Sequence, residues 1–163
     1  MLSIIGCGNP YRQDDGVGIY VVRSIQKYLK QRHFPGVSAY DAGTSGIEVM
    51  FKARGSDELI IVDANLSQSE PGSLFIVPGE ELANFPEPTY NLHDFRWDHA
   101  IYSGKKIYRD AFPENISVYL IEAASVEMGN GMTELEPVQD LTLIVSFNYL
   151  KDERWKIKDT RVI

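Results

Sequence analysis

The run Leu59-Ile60-Ile61-Val62, closed by Asp63, constrains the fold more than any other stretch of this chain. Consecutive apolar residues, mostly β-branched and without polar alternation, suit a strand buried on both faces. A strand of that kind needs a layer of helices on each side, so it predicts an α/β architecture. The flanking segments agree. Leu2 to Ile5 is a short apolar run that stops at the turn-rich Gly6-Cys7-Gly8-Asn9-Pro10. Val17, Val21, Ile25 and Tyr28 with Leu29 recur at helical spacing and predict a helix from about Asp15 to Gln31. A strand over Val37 to Tyr40 follows. Ser45-Gly46-Ile47-Glu48 has the form of a capping box and opens a second helix, which Gly55 closes. Ser73 to Val77, entered through Pro71-Gly72, and Ile116 to Ile121 predict two further strands. Between them His93, Trp97, Ile101 and Lys105 fall on one face of a helix expected over Leu92 to Arg109.

This alternation predicts a single-domain, three-layer α/β sandwich with a mostly parallel central sheet. A chain of 163 residues fits one such core. Residues 1–150 are expected to form the domain and residues 151–163 a mixed-charge, loosely held extension. Val138, Leu141, Val145 and Tyr149 are spaced for a last helix, although Leu143 to Phe147 is rich in strand-favouring residues.

Composition narrows the partners. The net charge is −7 and no Lys/Arg stripe interrupts it, which argues against nucleic acid and anionic membranes. No segment approaches the roughly 18 unbroken apolar residues of a spanning helix. The N-terminus lacks the basic and long apolar regions of a signal peptide, so a cytoplasmic location is expected. A single cysteine, Cys7, excludes an intrachain disulfide and an all-cysteine metal site within one chain. No heptad stripe is evident, and a monomer is expected.

The loop from Gly6 to Gly18 is the first candidate for chemistry. A Gly-x-Gly after a first strand invites a dinucleotide-binding reading, but Tyr11 stands where the third glycine belongs. Asp14 and Asp15 would also oppose a pyrophosphate at the helix start, where either one can serve as a cap. Asp63 ends a buried strand, on the side where open α/β sheets place their ligand crevice. His93 lies near a helix start. Brought to one rim, an acidic residue of the first loop, Asp63 and His93 suit a borderline divalent ion such as zinc or nickel. There is no Gly-x-Ser-x-Gly elbow and no His-Glu-x-x-His helix. Cys7 has no activating neighbour in sequence, and Ser45 is explained by its capping position.

Four motifs occur in order and in register. They are Gly6-x-Gly8-Asn9-x-x-Arg12-x-Asp14-Asp15-Gly16-x-Gly18, Asp41-Ala42-Gly43-Thr44-Ser45-Gly46, Leu59-Ile60-Ile61-Val62-Asp63-Ala64, and His93 within Asn91-Leu92-His93-Asp94-Phe95-Arg96-Trp97-Asp98-His99. Together they make the chain resemble the nickel-iron hydrogenase maturation endopeptidases, in the branch that processes uptake-type enzymes. The resemblance covers Met1 to about Val138. It implies a twisted, five-stranded sheet between helices and a metal surrounded by Asp15, Asp63 and His93. It further implies that this metal is nickel carried by the partner, a hydrogenase large-subunit precursor, whose C-terminal extension is cut only after loading. Asp15 or Asp63 would act catalytically, and Asp41, Gly43 and Thr44 would help bind the precursor. A non-enzymatic factor that binds nickel or precursor would use the same ligands, and a metallo-hydrolase that holds its own zinc and acts on small peptides is a further rival. His99, six residues after His93 and so about 600° further around the helix, is expected to point elsewhere and to be structural.

Overall fold

The computed structural model describes residues 1–31, 34–79, 81–84, 95–133 and 161–162. Strand β1 (Leu2–Cys7) leads through a 3-10 turn at Gln13–Gly16 into helix α1 (Val17–Gln31) and then β2 (Val37–Gly43). Next come α2 (Gly46–Ala53), β3 (Glu58–Asn65), β4 (Leu74–Pro78), α3 (Trp97–Tyr108) and β5 (Asn115–Glu122). A two-residue strand, β6 (Arg161–Val162), ends the described chain. The sheet order is β2-β1-β3-β5-β4-β6. β2, β1, β3 and β5 are parallel, and β4 runs antiparallel to β5. The expected five-stranded, mostly parallel sheet is therefore present as β1 to β5. β6, from within the C-terminal extension, adds a short outer edge parallel to β4. The helix expected over Val138 to Tyr149 lies outside the described residues.

The apolar run in β3 behaves as its composition requires. Leu59, Ile60 and Ile61 are fully buried and Val62 is 1% exposed, each contributing roughly 1.5–3 kcal/mol of burial. Alternation sends Ile60 and Val62 toward α1, where they pack with Leu2, Ile4, Val17, Val21 and Ile25. Leu59 and Ile61 face the other layer, with Ile5, Cys7, Val49 of α2 and Trp97, Ala100 and Ile101 of α3. Asp63 shares their parity, so the strand itself aims its carboxylate toward α3. Among the described residues no helix is long and apolar enough to cross a membrane.

Helix ends follow local chemistry with one exception. Ser45 Oγ accepts the Glu48 amide at 3.3 Å, as the capping box predicts. After α2, Gly55 takes φ +80°, a left-handed conformation suited to glycine. The exception is α3, which starts at Trp97 and not near Leu92, because Arg96 is extended (φ −90°, ψ −174°). Two tertiary contacts hold it so: the Gly46 amide donates to the Phe95 carbonyl at 3.0 Å, and Arg96 pairs with Asp63. The helical phase expected to separate His99 from His93 therefore does not apply.

The connections create the crevice. From β1 the chain passes through α1 to β2, then returns across β1 through α2 to β3 on the opposite side. The strand order reverses between β1 and β3. Residues at the C-terminal ends of these two strands border the place where open α/β sheets bind ligands.

Candidate active site

The loop after β1 is pinned to its neighbours by backbone bonds. Gly8 N donates to the Gly43 carbonyl at 2.9 Å, joining the ends of β1 and β2. Gly18 is packed so closely that a Cβ there would lie 2.2 Å from the Val62 carbonyl oxygen and 2.4 Å from that of Cys7. The start of α1 thus rests directly on the ends of β1 and β3, and the preceding 3-10 turn projects over them.

The two acidic residues of that turn part company. Asp14 is fully buried. Its carboxylate accepts the amides of Ala124 and Ser125, each at 3.0 Å, and the amide and hydroxyl of Thr133, each at 2.7 Å. Asp14 therefore fixes the loop after β5 against the loop after β1. Asp15 is half-buried and accepts one hydrogen bond among the described residues, from the Asn9 amide to Oδ2 at 3.0 Å. Neither side chain caps α1, which corrects the capping role that the sequence allowed them. The helix is entered through a 3-10 turn, and both carboxylates are used by loops.

Asp63 is 2% exposed. Its Oδ1 accepts the Ala64 amide at 2.9 Å, and its Oδ2 accepts Trp97 Nε1 at 2.8 Å and Arg96 Nη2 at 3.0 Å. Burial pushes its pKa up, against the lowering effects of the Arg96 charge and these hydrogen bonds. Burial opposes the Arg96 charge as well, but Asp63, then Asp98 and Asp15, favour it and leave its pKa raised. Arg96 thus feels both candidate carboxylates. The Cys7 thiol lies in the same field, and its pKa is raised well above the ordinary value by burial and then by Asp63. A buried neutral thiol is a poor nucleophile, in keeping with the minor role the sequence assigns it.

Asp41 sits at the end of β2. It pairs with Arg23 of α1 at 2.9 Å and accepts the Gly43 amide at 3.0 Å, forming a turn that leaves Thr44 exposed. Gly43 takes φ +55° with open space where a Cβ would be. His93 lies outside the described residues. Among the described residues no three His, Cys, Asp or Glu side chains converge as a metal cage. Asp63 hydrogen-bonds Arg96, whose charge Asp15 also favours, and the neighbouring Phe95 carbonyl takes the Gly46 amide just after the Asp41–Thr44 turn. Arg96, Trp97 and Asn9 were not singled out from the sequence. All three stand inside the quoted motifs, but their roles depend on partners distant along the chain.

A mostly parallel α/β sheet with a buried carboxylate on a strand end beside its switch point is an architecture that hosts ligand crevices, without specifying the reaction. Comparison with known proteins supplies that. Residues 19–140 match the family model described as hydrogenase maturation protease, and the chain belongs to that family. Its activity class is accordingly that of an endopeptidase, which favours cutting over the non-enzymatic alternative. The coenzyme F420 hydrogenase subunit delta of Methanothermobacter thermautotrophicus is 30% identical over 133 residues, 78% of this chain and 81% of that protein. The hydrogenase expression/formation protein HupM of Azotobacter chroococcum is 28% identical over 85% of this chain, and the match spans 64% of its own length. Among solved structures, the hydrogenase maturating endopeptidase HybD from E. coli superposes with a TM-score of 0.70 at 25% identity, covering 92% of this chain and 91% of its own.

Proposed function

We propose that this chain removes the C-terminal extension from the nickel-loaded large-subunit precursor of a nickel-iron hydrogenase, in the cytoplasm. In this reading Asp15, Asp63 and His93 meet nickel that arrives with the precursor, so the metal is part of the substrate. The observation that carries it is Asp63: a carboxylate buried to 2% at the C-terminal end of β3 and hydrogen-bonded to Arg96, whose charge Asp15 also favours. Buried charge is costly, and a carboxylate kept at such a place is a functional candidate.

An amide bond resists hydrolysis at neutral pH, so its cleavage needs an activated water and stabilisation of charge on the carbonyl oxygen. A bound divalent ion supplies either by polarising the carbonyl or by acidifying water. The two carboxylates divide the remaining work. Asp63 has both oxygens engaged, Oδ1 by the Ala64 amide and Oδ2 by Trp97 Nε1, and is oriented as a fixed ligand. Asp15 accepts a single bond among the described residues, which supports it over Asp63 as the general base. Gly43 and Thr44, presented by the turn that Asp41 and Arg23 hold, would line the path of the precursor's backbone.

The test is mass spectrometry of a large-subunit precursor incubated with the protein, before and after nickel insertion. Loss of a short C-terminal peptide only from the loaded form is expected. Folded Asp15→Asn, Asp63→Asn and His93→Ala variants should each lose at least about a hundredfold in rate. Equal cutting of both precursor forms would refute the nickel requirement, and full activity in all three variants would remove the site.

A further inference from the structure

Arg96 has no part in the scheme above, yet it is the cation that contacts Asp63. Its guanidinium donates to Asp63 Oδ2 at 3.0 Å, and both Asp15 and Asp98 also favour its charge. The pair is lopsided: the Asp63 side chain is 3% exposed and the Arg96 side chain 65%. One member is fixed in the wall, and the other lies on the rim, where leaving for solvent costs little. Withdrawal of the arginine would not release the carboxylate, because Trp97 Nε1 still holds Oδ2 and the Ala64 amide still holds Oδ1. Arg96 is also extended and precedes the first residue of α3, so its side chain is not locked into a helical row.

We propose that Arg96 is a resident counter-cation, which screens Asp63 in the free enzyme and gives way when the substrate's nickel arrives. This rests on the reading that Asp63 faces that nickel. A guanidinium within hydrogen-bonding distance of Oδ2 and a divalent ion on the same oxygen repel each other strongly, so the two states exclude one another. A free ion must displace the arginine without help. A precursor-borne ion arrives with the binding energy of the whole protein contact behind it. Arg96 is thus a positioning residue that biases the enzyme toward metal presented by a protein.

The test is calorimetric titration of the free full-length protein with nickel chloride alone, comparing wild type, Arg96→Gln, Arg96→Lys and the double variant Arg96→Gln with Asp63→Asn. Circular dichroism checks that each is folded. Arg96→Gln is expected to bind nickel at least about tenfold more tightly than wild type. Arg96→Lys, which keeps the charge but not the fork, should stay within about threefold of wild type. Adding Asp63→Asn should abolish the gain. The proposal is overturned if Arg96→Gln gains nothing, if Arg96→Lys gains as much, or if the gain survives Asp63→Asn. Precursor cleavage judges the Asp63 reading separately: no gain in Arg96→Gln, with Asp63→Asn inactive, removes only the role of Arg96.

Discussion

Asp63 and Cys7, on the ends of adjacent strands, are both driven toward their neutral forms, chiefly by burial. For Cys7 that means inertness. For Asp63 it separates two pH effects that usually run together. Its folded pKa lies above the ordinary 3.8, so the proton is held more tightly in the folded state. This group's contribution to stability is therefore fully present below that ordinary value and is lost as pH rises through the folded pKa. In the proposed scheme cleavage needs the ionised carboxylate and so rises across the same window. The acid limb of precursor cleavage should sit in the interval above the ordinary Asp range. Over that interval the stability of wild type relative to Asp63→Asn should decline as pH increases. A cleavage limb at the ordinary Asp value, or a stability difference that grows with pH, would contradict this assignment.

At the scale of elements, the site is a set of strand ends held in place by close packing and one buried carboxylate. Gly18 lets α1 touch the ends of β1 and β3, since a Cβ would lie 2.2 Å from a backbone oxygen that has nowhere to move. Gly18→Ala is expected to cost about 1–3 kcal/mol or more. The melting temperature should then fall by at least about 3 °C in a chain of this size; an unchanged value would show that α1 is not seated as described. Asp14 ties the loop after β5 to the loop after β1 through four accepted hydrogen bonds. Asp14→Ala leaves their donors without a partner, at a cost of about 2–3 kcal/mol, concentrated in residues 124–133. Limited proteolysis followed by mass spectrometry should find new early cuts in that loop, and protection equal to wild type would count against the tether. Two adjacent acidic residues thus serve different ends: Asp14 builds the wall, and Asp15 accepts one bond among the described residues, from the Asn9 amide.

For the molecule as a whole, the sheet order matters more than any one residue. Because β2 and β3 flank β1, three separate strand ends deliver Cys7, Asp41 to Gly43, and Asp63 to one rim. Much of this was legible in the chain itself. The unbroken run at Leu59 to Val62 could only be a doubly covered strand, and helical spacing marked α1 and the interior of α3. Positions at strand ends marked Asp63 as a crevice residue, and the glycine-rich loop marked Asp14 and Asp15 as candidates. These features repeat over short distances, and local sterics and burial are enough to set them. What tertiary structure alone decided were pairings between remote segments. Periodicity extended α3 back to Leu92, but the contacts of Phe95 with Gly46 and Arg96 with Asp63 keep Arg96 extended. Trp97, which the sequence placed on one helical face with His93, Ile101 and Lys105, spends its indole N–H on Asp63. Nothing local distinguished Asp14 from Asp15; the loop after β5, more than a hundred residues away, took one and left the other. The sequence by itself determined the layers and the residue types on the rim, because those follow from spacing and burial. Which of those residues touch was decided only when the strands came into register.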